Sequence, residues 1–217
     1  MQATSIDPDQ FIAAVGPLLE KQDLTGLLSL LKTAWSYDQI RGVLNSRHTD
    51  AKKVALLALG LVAPSCCIPD VAQQLRDEDP MVNEMAEHAL WMVWFRAGSQ
   101  SANHELARGA QAIGRKDFEH AITHFDRAIA ECPKFAEAYN QRGIALYLME
   151  RYEESVKHCK RAVELMPCHF GALAGLGHCY AHMDQPREAI ESYQRALDVN
   201  PHLECIRQTI EELKKKI

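Results

Sequence analysis

The sequence is poor in aromatic residues and carries no excess of positive charge. Only 7% of its 217 residues are Phe, Trp or Tyr, and the formal net charge is −5. This acidic balance argues against nucleic-acid binding, which depends on basic patches that neutralise phosphates. With 47% hydrophobic and 24% charged residues, the chain has the composition of a folded globular protein and is not expected to be disordered.

Cysteine pairs at C-x-x-C spacing, a secretory signal and a membrane span are also lacking. The seven cysteines are scattered, which favours reduced thiols over a disulfide framework. The first sixteen residues have no basic start before their apolar stretch, so we expect no secretory signal. The uncharged segment 165–183 contains three histidines and a proline, and is too polar for a membrane span. These features predict a cytoplasmic protein that does not insert into membranes.

Catalytic motifs are absent as well. The sequence contains no phosphate-binding loop, nucleophile elbow, zinc-protease motif or dinucleotide-binding motif, so we expect no enzyme activity and no cofactor. Histidine is the one enriched chemical residue, and the pairs His120/His124 and His178/His182 could each place two metal ligands on one helix face. A structural metal site needs four converging ligands, and therefore no metal site is predicted.

The second half of the sequence repeats itself at one constant interval, the spacing from Gly109 to Gly143 and again to Gly177. Aligned at this interval, three copies share a glycine column, an alanine column, a proline column and a small-residue column: Gly109, Gly143, Gly177; Ala128, Ala162, Ala196; Pro133, Pro167, Pro201; Ala121, Ser155, Ala189. Within each copy, apolar and small residues recur at steps of three and four, as on an amphipathic helix. Each proline ends a helix because it lacks an N–H group. The repeat therefore predicts helix–turn–helix units that bury their faces by stacking on neighbours.

These columns resemble the tetratricopeptide repeat (TPR) family over more than half of the chain. The large residue that the family has at its fourth position is present as Tyr139 and Leu173, whereas Glu105 departs from it. The resemblance implies three TPR repeats followed by one amphipathic capping helix after Pro201. The repeats span residues 102–135, 136–169 and 170–203.

A second, slightly shorter repeat runs through residues 36–96 and aligns apolar and small positions: Ile40 with Val71, Leu44 with Leu75, Ala51 with Val82, Ala55 with Ala86. This pattern resembles HEAT repeats over two units, although Asn83 stands where that family often has Arg. Asp79 is expected to cap a helix that has Pro80 in its first turn. The segments 7–21 and 24–34 predict two further amphipathic helices.

The two resemblances imply an all-α fold: a right-handed α-α superhelix, or solenoid, of HEAT-like and then TPR helix pairs. The expected domains are residues 1–98 and residues 99–217, and the apolar run 89–95 is expected to be buried where they join. In the TPR family, the first helices of successive repeats line a concave groove. The residues placed there by this resemblance are Asn103, Leu106, Ala110, Ile113, Glu137, Asn140, Ile144, Tyr147, Leu148, Gly171, Ala174, His178, Ala181 and His182.

Such a groove suits a scaffold or adaptor that binds a peptide or helical segment of another protein. Two alternatives stay open: an assembly factor or lyase-like enzyme of HEAT-repeat type, and a metal-handling protein that uses its His and Cys residues. The TPR resemblance also brings an expected exclusion. One TPR subclass holds acidic chaperone C-terminal tails through a clamp of Lys, Asn and Arg side chains. The clamp positions here are Leu106, Ala110, Gln141, Gly171 and Gly175, so these tails are expected not to bind.

Overall fold

The computed structural model describes residues 6–215 and 217. In that part of the chain all regular structure is helical and no strand occurs, which confirms the all-α prediction. The chain divides into two compact units, one ending at Val93 and the other beginning at Trp94. Residues 1–5, where the segment tested for a secretory signal starts, lie outside the described residues.

Over its described residues, from 6 onwards, the first unit contains six α-helices, the last of which ends at Trp94. They are α1 (Pro8–Glu20), α2 (Leu24–Thr33), α3 (Tyr37–Val43), α4 (Thr49–Val62), α5 (Ile68–Gln73) and α6 (Pro80–Trp94), with 3-10 turns at Ser65–Cys67 and Gln74–Arg76. Helices α1 and α2 occupy the two segments predicted upstream of the shorter repeat. The aligned positions of that repeat are all buried: Ile40, Leu44, Ala51, Ala55, Val71, Leu75, Val82 and Ala86.

Side-chain caps begin several of these helices. The carboxylate of Asp7 accepts a hydrogen bond from the Gln10 N–H at the start of α1, at 2.9 Å. At the start of α6, Asp79 accepts from the N–H groups of Met81 and Val82, at 2.9 and 3.1 Å. This confirms the predicted cap at Asp79. Such caps satisfy backbone donors that have no partner within the helix.

The second unit contains the three predicted helix pairs and a final helix. They are α7 (Gln100–Gly114), α8 (Phe118–Glu131), α9 (Ala136–Leu148), α10 (Tyr152–Leu165), α11 (Phe170–His182), α12 (Pro186–Val199) and α13 (Glu204–Lys214). Each helix contacts the next, and α9 also contacts both α7 and α11. This stacking is that of a helical-repeat superhelix, as the sequence predicts. The last helix, α13, buries Ile206, Ile210 and Leu213.

Glycines allow the two helices of a pair to approach closely. A Cβ atom at Gly109 would lie 2.3 Å from the ring of Phe125, and one at Gly177 would lie 2.4 Å from the ring of Tyr193. Each aromatic residue follows its glycine by sixteen positions and packs directly over it. The glycine column of the repeat is therefore a packing requirement, since any larger side chain would push the helices apart.

The turns within the three pairs share one backbone conformation. Lys116, Glu150 and Asp184 have φ angles of 61°, 61° and 56°, and they occupy the same position in the three successive repeats. The N–H group that follows each of them bonds to the carbonyl oxygen five positions earlier, at 2.9 to 3.0 Å. This is a Schellman-type helix end, which usually takes glycine at the left-handed position. Here three ordinary side chains occupy it.

Candidate functional site

The predicted groove residues are mostly accessible in the second unit. Eleven of the fourteen are partly or fully exposed to solvent: Asn103, Ala110, Ile113, Ile144, Tyr147, Leu148, Gly171, Ala174, His178, Ala181 and His182. They lie on α7, α9 and α11, the first helices of the three pairs. These helices contact one another in sequence, so α9 and α11 present their residues side by side.

Three tyrosines and two histidines lie together near the contact between α9 and α11. The Tyr147 hydroxyl and the His182 Nε2 are hydrogen-bonded at 2.9 Å, and Tyr152 stacks on His182 with ring centroids 4.9 Å apart. The Tyr193 hydroxyl lies 2.7 Å from His178 Nδ1. Burial lowers the pKa of His178, and the neighbouring His182 lowers it further. Both effects favour the neutral imidazole, and Nδ1 of a neutral ring can accept a hydrogen bond from the Tyr193 hydroxyl.

A small apolar cavity of about 170 Å³ opens beside these rings. Predicted groove residues form part of its lining: Ile144, Tyr147, Gly171, Ala174 and His178. Gly175, which the sequence analysis considered as a clamp position, also lines it, and three further lining residues were missed by the sequence reasoning: Gly143, Ser155 and Cys159. The signal for one of them is visible when the three sequence repeats are aligned, where Cys159 stands at the position of Phe125 and Tyr193.

Three predicted groove residues are buried and unavailable to a ligand. Leu106 belongs to the hydrophobic core with Phe125, while Glu137 and Asn140 are each only 1% exposed. The Glu137 carboxylate accepts hydrogen bonds from His169 Nε2 at 2.6 Å and from Gln141 Nε2 at 2.7 Å. The repeat position alone could not reveal that Glu137 has a partner so far along the chain. The structure places all three side chains in the interior and not on the accessible surface of the groove.

Asn103 has a structural role at the start of α7. Its side-chain oxygen accepts from the Gly98 N–H at 3.0 Å, and its amide group donates to the carbonyl oxygens of Arg96 and Gly98 at 3.2 Å. These bonds fix the segment that leads into the first helix pair. The accessible polar side chains predicted for the rest of the groove, Tyr147, His178 and His182, lie on α9 and α11.

Glu105 stands where the family has a large residue, and three basic side chains surround its carboxylate. Its carboxylate lies 2.7 Å from His124 Nδ1, 3.6 Å from Arg108 and 3.8 Å from Arg127. The hydrogen bond from His124, with the charges of His124 and both arginines, lowers the pKa of Glu105. A polar network thus joins α7 to α8 where the other repeats have a large apolar residue or a tyrosine.

The histidine pairs engage neighbouring side chains and do not converge with further ligands. His120 Nδ1 lies 2.8 Å from Asp117, and His124 bonds to Glu105. His178 and His182 bond to Tyr193 and Tyr147. Among the described residues, no group of three or more His, Cys, Asp or Glu side chains could hold a metal ion.

All seven cysteines are free, and burial raises the pKa of Cys159 to about 12. This thiol is therefore protonated at neutral pH and behaves as a small apolar side chain. Within residues 6–215 and 217, no helix is long and apolar enough to cross a bilayer.

Comparison with known families identifies the repeats. Residues 134–201 match the tetratricopeptide repeat family. This stretch covers the second and third helix pairs, which therefore match TPR repeats. The match begins well after residues 36–96, so it does not test the HEAT-like resemblance of the first unit.

The chain is similar in sequence to two further proteins. Over 116 residues the chain is 28% identical to mouse sperm-associated antigen 1, covering 54% of this chain but 13% of that protein. Over 146 residues it is 25% identical to a TPR repeat-containing protein of Rhizobium etli, covering 67% of this chain and 72% of the relative. The chain thus corresponds to only a small part of the first relative.

Solved structures share the fold of the repeats. The first TPR of Spaghetti (RPAP3), bound to the HSP90 peptide SRMEEVD, has a TM-score of 0.53 and 18% identity, covering 54% of this chain and 94% of that domain. The second TPR domain of human RPAP3, in complex with the HSP70 peptide SGPTIEEVD, has a TM-score of 0.51 and 24% identity. It covers 52% of this chain and 95% of that domain.

The predicted exclusion of acidic chaperone tails is wrong. Both of these structurally similar domains hold chaperone peptides that end in EEVD. The exclusion rested on five side-chain positions and left out contacts that other parts of the groove can make with an extended peptide. A peptide is held through its backbone and through other groove donors as well as through one carboxylate clamp.

Proposed function

We propose that this chain is a non-catalytic protein-interaction module that binds a peptide segment of a partner along α7, α9 and α11. The observation that carries the proposal is the accessible surface formed by α9 and α11, where Ile144, Tyr147, Ala174 and His178 surround one apolar cavity. Hydrogen-bonding groups and an apolar pocket together suit an extended peptide, whose backbone and side chains need both. The structurally similar domains that hold peptides support this class of function.

Peptide titration tests the proposal directly. Peptides selected from a random phage-displayed library on the whole chain are titrated by calorimetry, together with the HSP90 peptide SRMEEVD of the similar domain. The groove variant is Ala174→Arg, which places a long charged side chain into the lining of the cavity. The matched control is Ala130→Arg, an exposed position on α8.

The wild type and Ala130→Arg are expected to bind the same peptides with equal affinity, whereas Ala174→Arg is expected to lose binding. The proposal is contradicted when no peptide binds the wild type, or when Ala174→Arg binds as well as the control. Circular dichroism of each variant shows whether the helical fold is retained.

For the first unit we propose a HEAT-like architecture. Its support is the repetition of the α3–α4 pair by the α5–α6 pair, with the aligned apolar positions buried in both. We also propose a cytoplasmic location, because seven unpaired cysteines suit a reducing compartment. Fractionation of the native cells tests the location, and recovery of the chain from an oxidising compartment would contradict it.

A further inference from the structure

The cavity exists because one repeat lacks an aromatic ring that the other two possess. Phe125, Cys159 and Tyr193 occupy equivalent positions in the three TPR repeats. In the outer repeats the aromatic ring covers the glycine of the first helix. In the central repeat the same place holds only a sulfur atom, which lies 2.7 Å from a Cβ built on Gly143. The volume that a ring fills elsewhere is left open here.

The third repeat enlarges this opening. Gly171 and Gly175 line the cavity from α11, and a Cβ at Gly175 would lie 3.2 Å from the Cys159 sulfur. A side chain at Gly175 would therefore narrow the cavity from the α11 side. Its volume of about 170 Å³ is close to that of an engineered apolar cavity, roughly 150 Å³, that binds benzene in another protein.

The polar groups at the bottom of the cavity are already satisfied within the chain. The Ser155 hydroxyl donates to the Gly143 carbonyl oxygen at 2.7 Å, and the Cys179 thiol donates to the Ser155 oxygen at 3.2 Å. The Cys159 thiol lies 3.9 Å from the same hydroxyl. A guest therefore meets apolar carbon and sulfur, and no buried polar atom requires a hydrogen bond from it.

Two aromatic side chains border the cavity and are held in place from outside. The Tyr147 hydroxyl is bonded to His182, and His178 is bonded to the Tyr193 hydroxyl. The ring centroids of Tyr147 and His178 are 6.2 Å apart. Since these rings are fixed before a guest arrives, little conformational entropy is lost on binding. Their faces and edges favour an aromatic guest.

We propose that this cavity is an anchor site for a single aromatic side chain, of phenylalanine size, presented by the bound partner peptide. The inference rests on the proposed peptide-binding function and specifies its ligand. The guest ring replaces, in trans, the ring that Phe125 and Tyr193 supply in the flanking repeats. The rest of the peptide lies over α9 and α11.

Toluene is the probe for the cavity itself. Titrated into the ¹⁵N-labelled whole chain, it is expected to give saturable NMR shifts at the amides of Gly143, Ala174 and Gly175. Cys159→Phe fills the cavity with the ring that the other repeats have and is expected to remove these shifts. The matched control Cys205→Phe, at an exposed position on α13, is expected to retain them.

The inference is overturned when toluene gives no saturable shift at these amides in the wild type, or gives the same shifts in Cys159→Phe. Should Cys159→Phe fail to fold, Ala174→Leu narrows the same cavity from α11 and is judged by the same criterion. Toluene binding does not depend on any peptide. Loss of the proposed function alone would leave the toluene shifts intact, whereas failure of this inference would remove them while peptides still bind.

A last experiment identifies which aromatic residue of a bound peptide enters the cavity. Replacing its aromatic residue by Ala is expected to weaken binding to the wild type far more than binding to Cys159→Phe. Equal losses in the two proteins would contradict the assignment of the aromatic side chain to this cavity.

Discussion

His169 donates its Nε2–H to the carboxylate of Glu137 across 2.6 Å, and both side chains are excluded from solvent. The other ring nitrogen, Nδ1, accepts from the Ala172 N–H at 3.2 Å and caps α11. The two ring nitrogens therefore have different partners, the carboxylate of Glu137 and the backbone of α11. The ring also stacks on Trp94, with centroids 4.1 Å apart. One side chain therefore joins Trp94, α9 and the start of α11.

Removal of His169 is expected to destabilise the protein strongly. In His169→Ala the buried Glu137 carboxylate loses its shortest hydrogen bond, and the loss of one partner of a buried pair costs about 3–5 kcal/mol. Urea unfolding, followed by circular dichroism, measures the change. His120→Ala removes an exposed histidine paired with Asp117 and should leave the midpoint unchanged. Equal midpoints for both variants would contradict the role assigned to His169.

Two glycines in α7 are expected to respond in opposite directions to alanine. Gly109→Ala forces a Cβ into the ring of Phe125 and should destabilise the chain by about 1–3 kcal/mol. Gly114→Ala, where a Cβ meets nothing within 4 Å, should stabilise it by about 0.5–1 kcal/mol. Chemical denaturation of the pair tests this, and a neutral Gly109→Ala would show that the helix spacing is not set by this contact.

Substitutions at the left-handed residue of the central turn are expected to follow a different order of stability from substitutions within a helix. At Glu150, where φ is 61°, Val should be less stable than Gly by about 1–2 kcal/mol, because a Cβ disfavours this conformation. At the exposed helical position Glu153 the order should reverse, since Gly is the poorer helix former. The melting temperatures of the four variants show the order of stability at each position. The same order at both positions would contradict the turn geometry.

Acid is expected to destabilise the fold partly through His158. Burial, followed by the positive charge of Arg142, lowers the pKa of His158 to about 4, despite the opposing charges of Asp126 and Glu154. An unfolded histidine titrates near a pKa of about 6.5, so between these values the unfolded chain binds more protons than the folded chain. Stability should therefore fall as the pH drops from about 6.5 to about 4. In His158→Gln the urea midpoint should fall less over this window, and an equal fall would refute this assignment.

Much of the fold is encoded in local patterns that sequence reasoning can recover. The regular spacing of Gly109, Gly143 and Gly177 predicts the helix pairs, because close packing restricts what those positions can hold. The cap at Asp79 is equally local. The left-handed turns were not foreseen, since Lys116 and Glu150 are not residues that ordinarily mark such a conformation.

The candidate site could be predicted only in part. The places of Ile144 and Tyr147 follow from their repeat positions. The burial of Glu137, in contrast, depends on His169, which lies between α10 and α11. The cavity at Cys159 depends on a missing side chain. Such an absence becomes visible only when the packing around it is known.

The central claim, that a partner peptide lies on α9 and α11, is tested most directly by intermolecular NMR contacts. A selected peptide is bound to chain labelled at its Ile and Ala methyl groups. The account predicts nuclear Overhauser contacts between the peptide and the methyl groups of Ile144 and Ala174. Contacts confined to methyl groups elsewhere, such as the exposed Ala130 on α8, would contradict it.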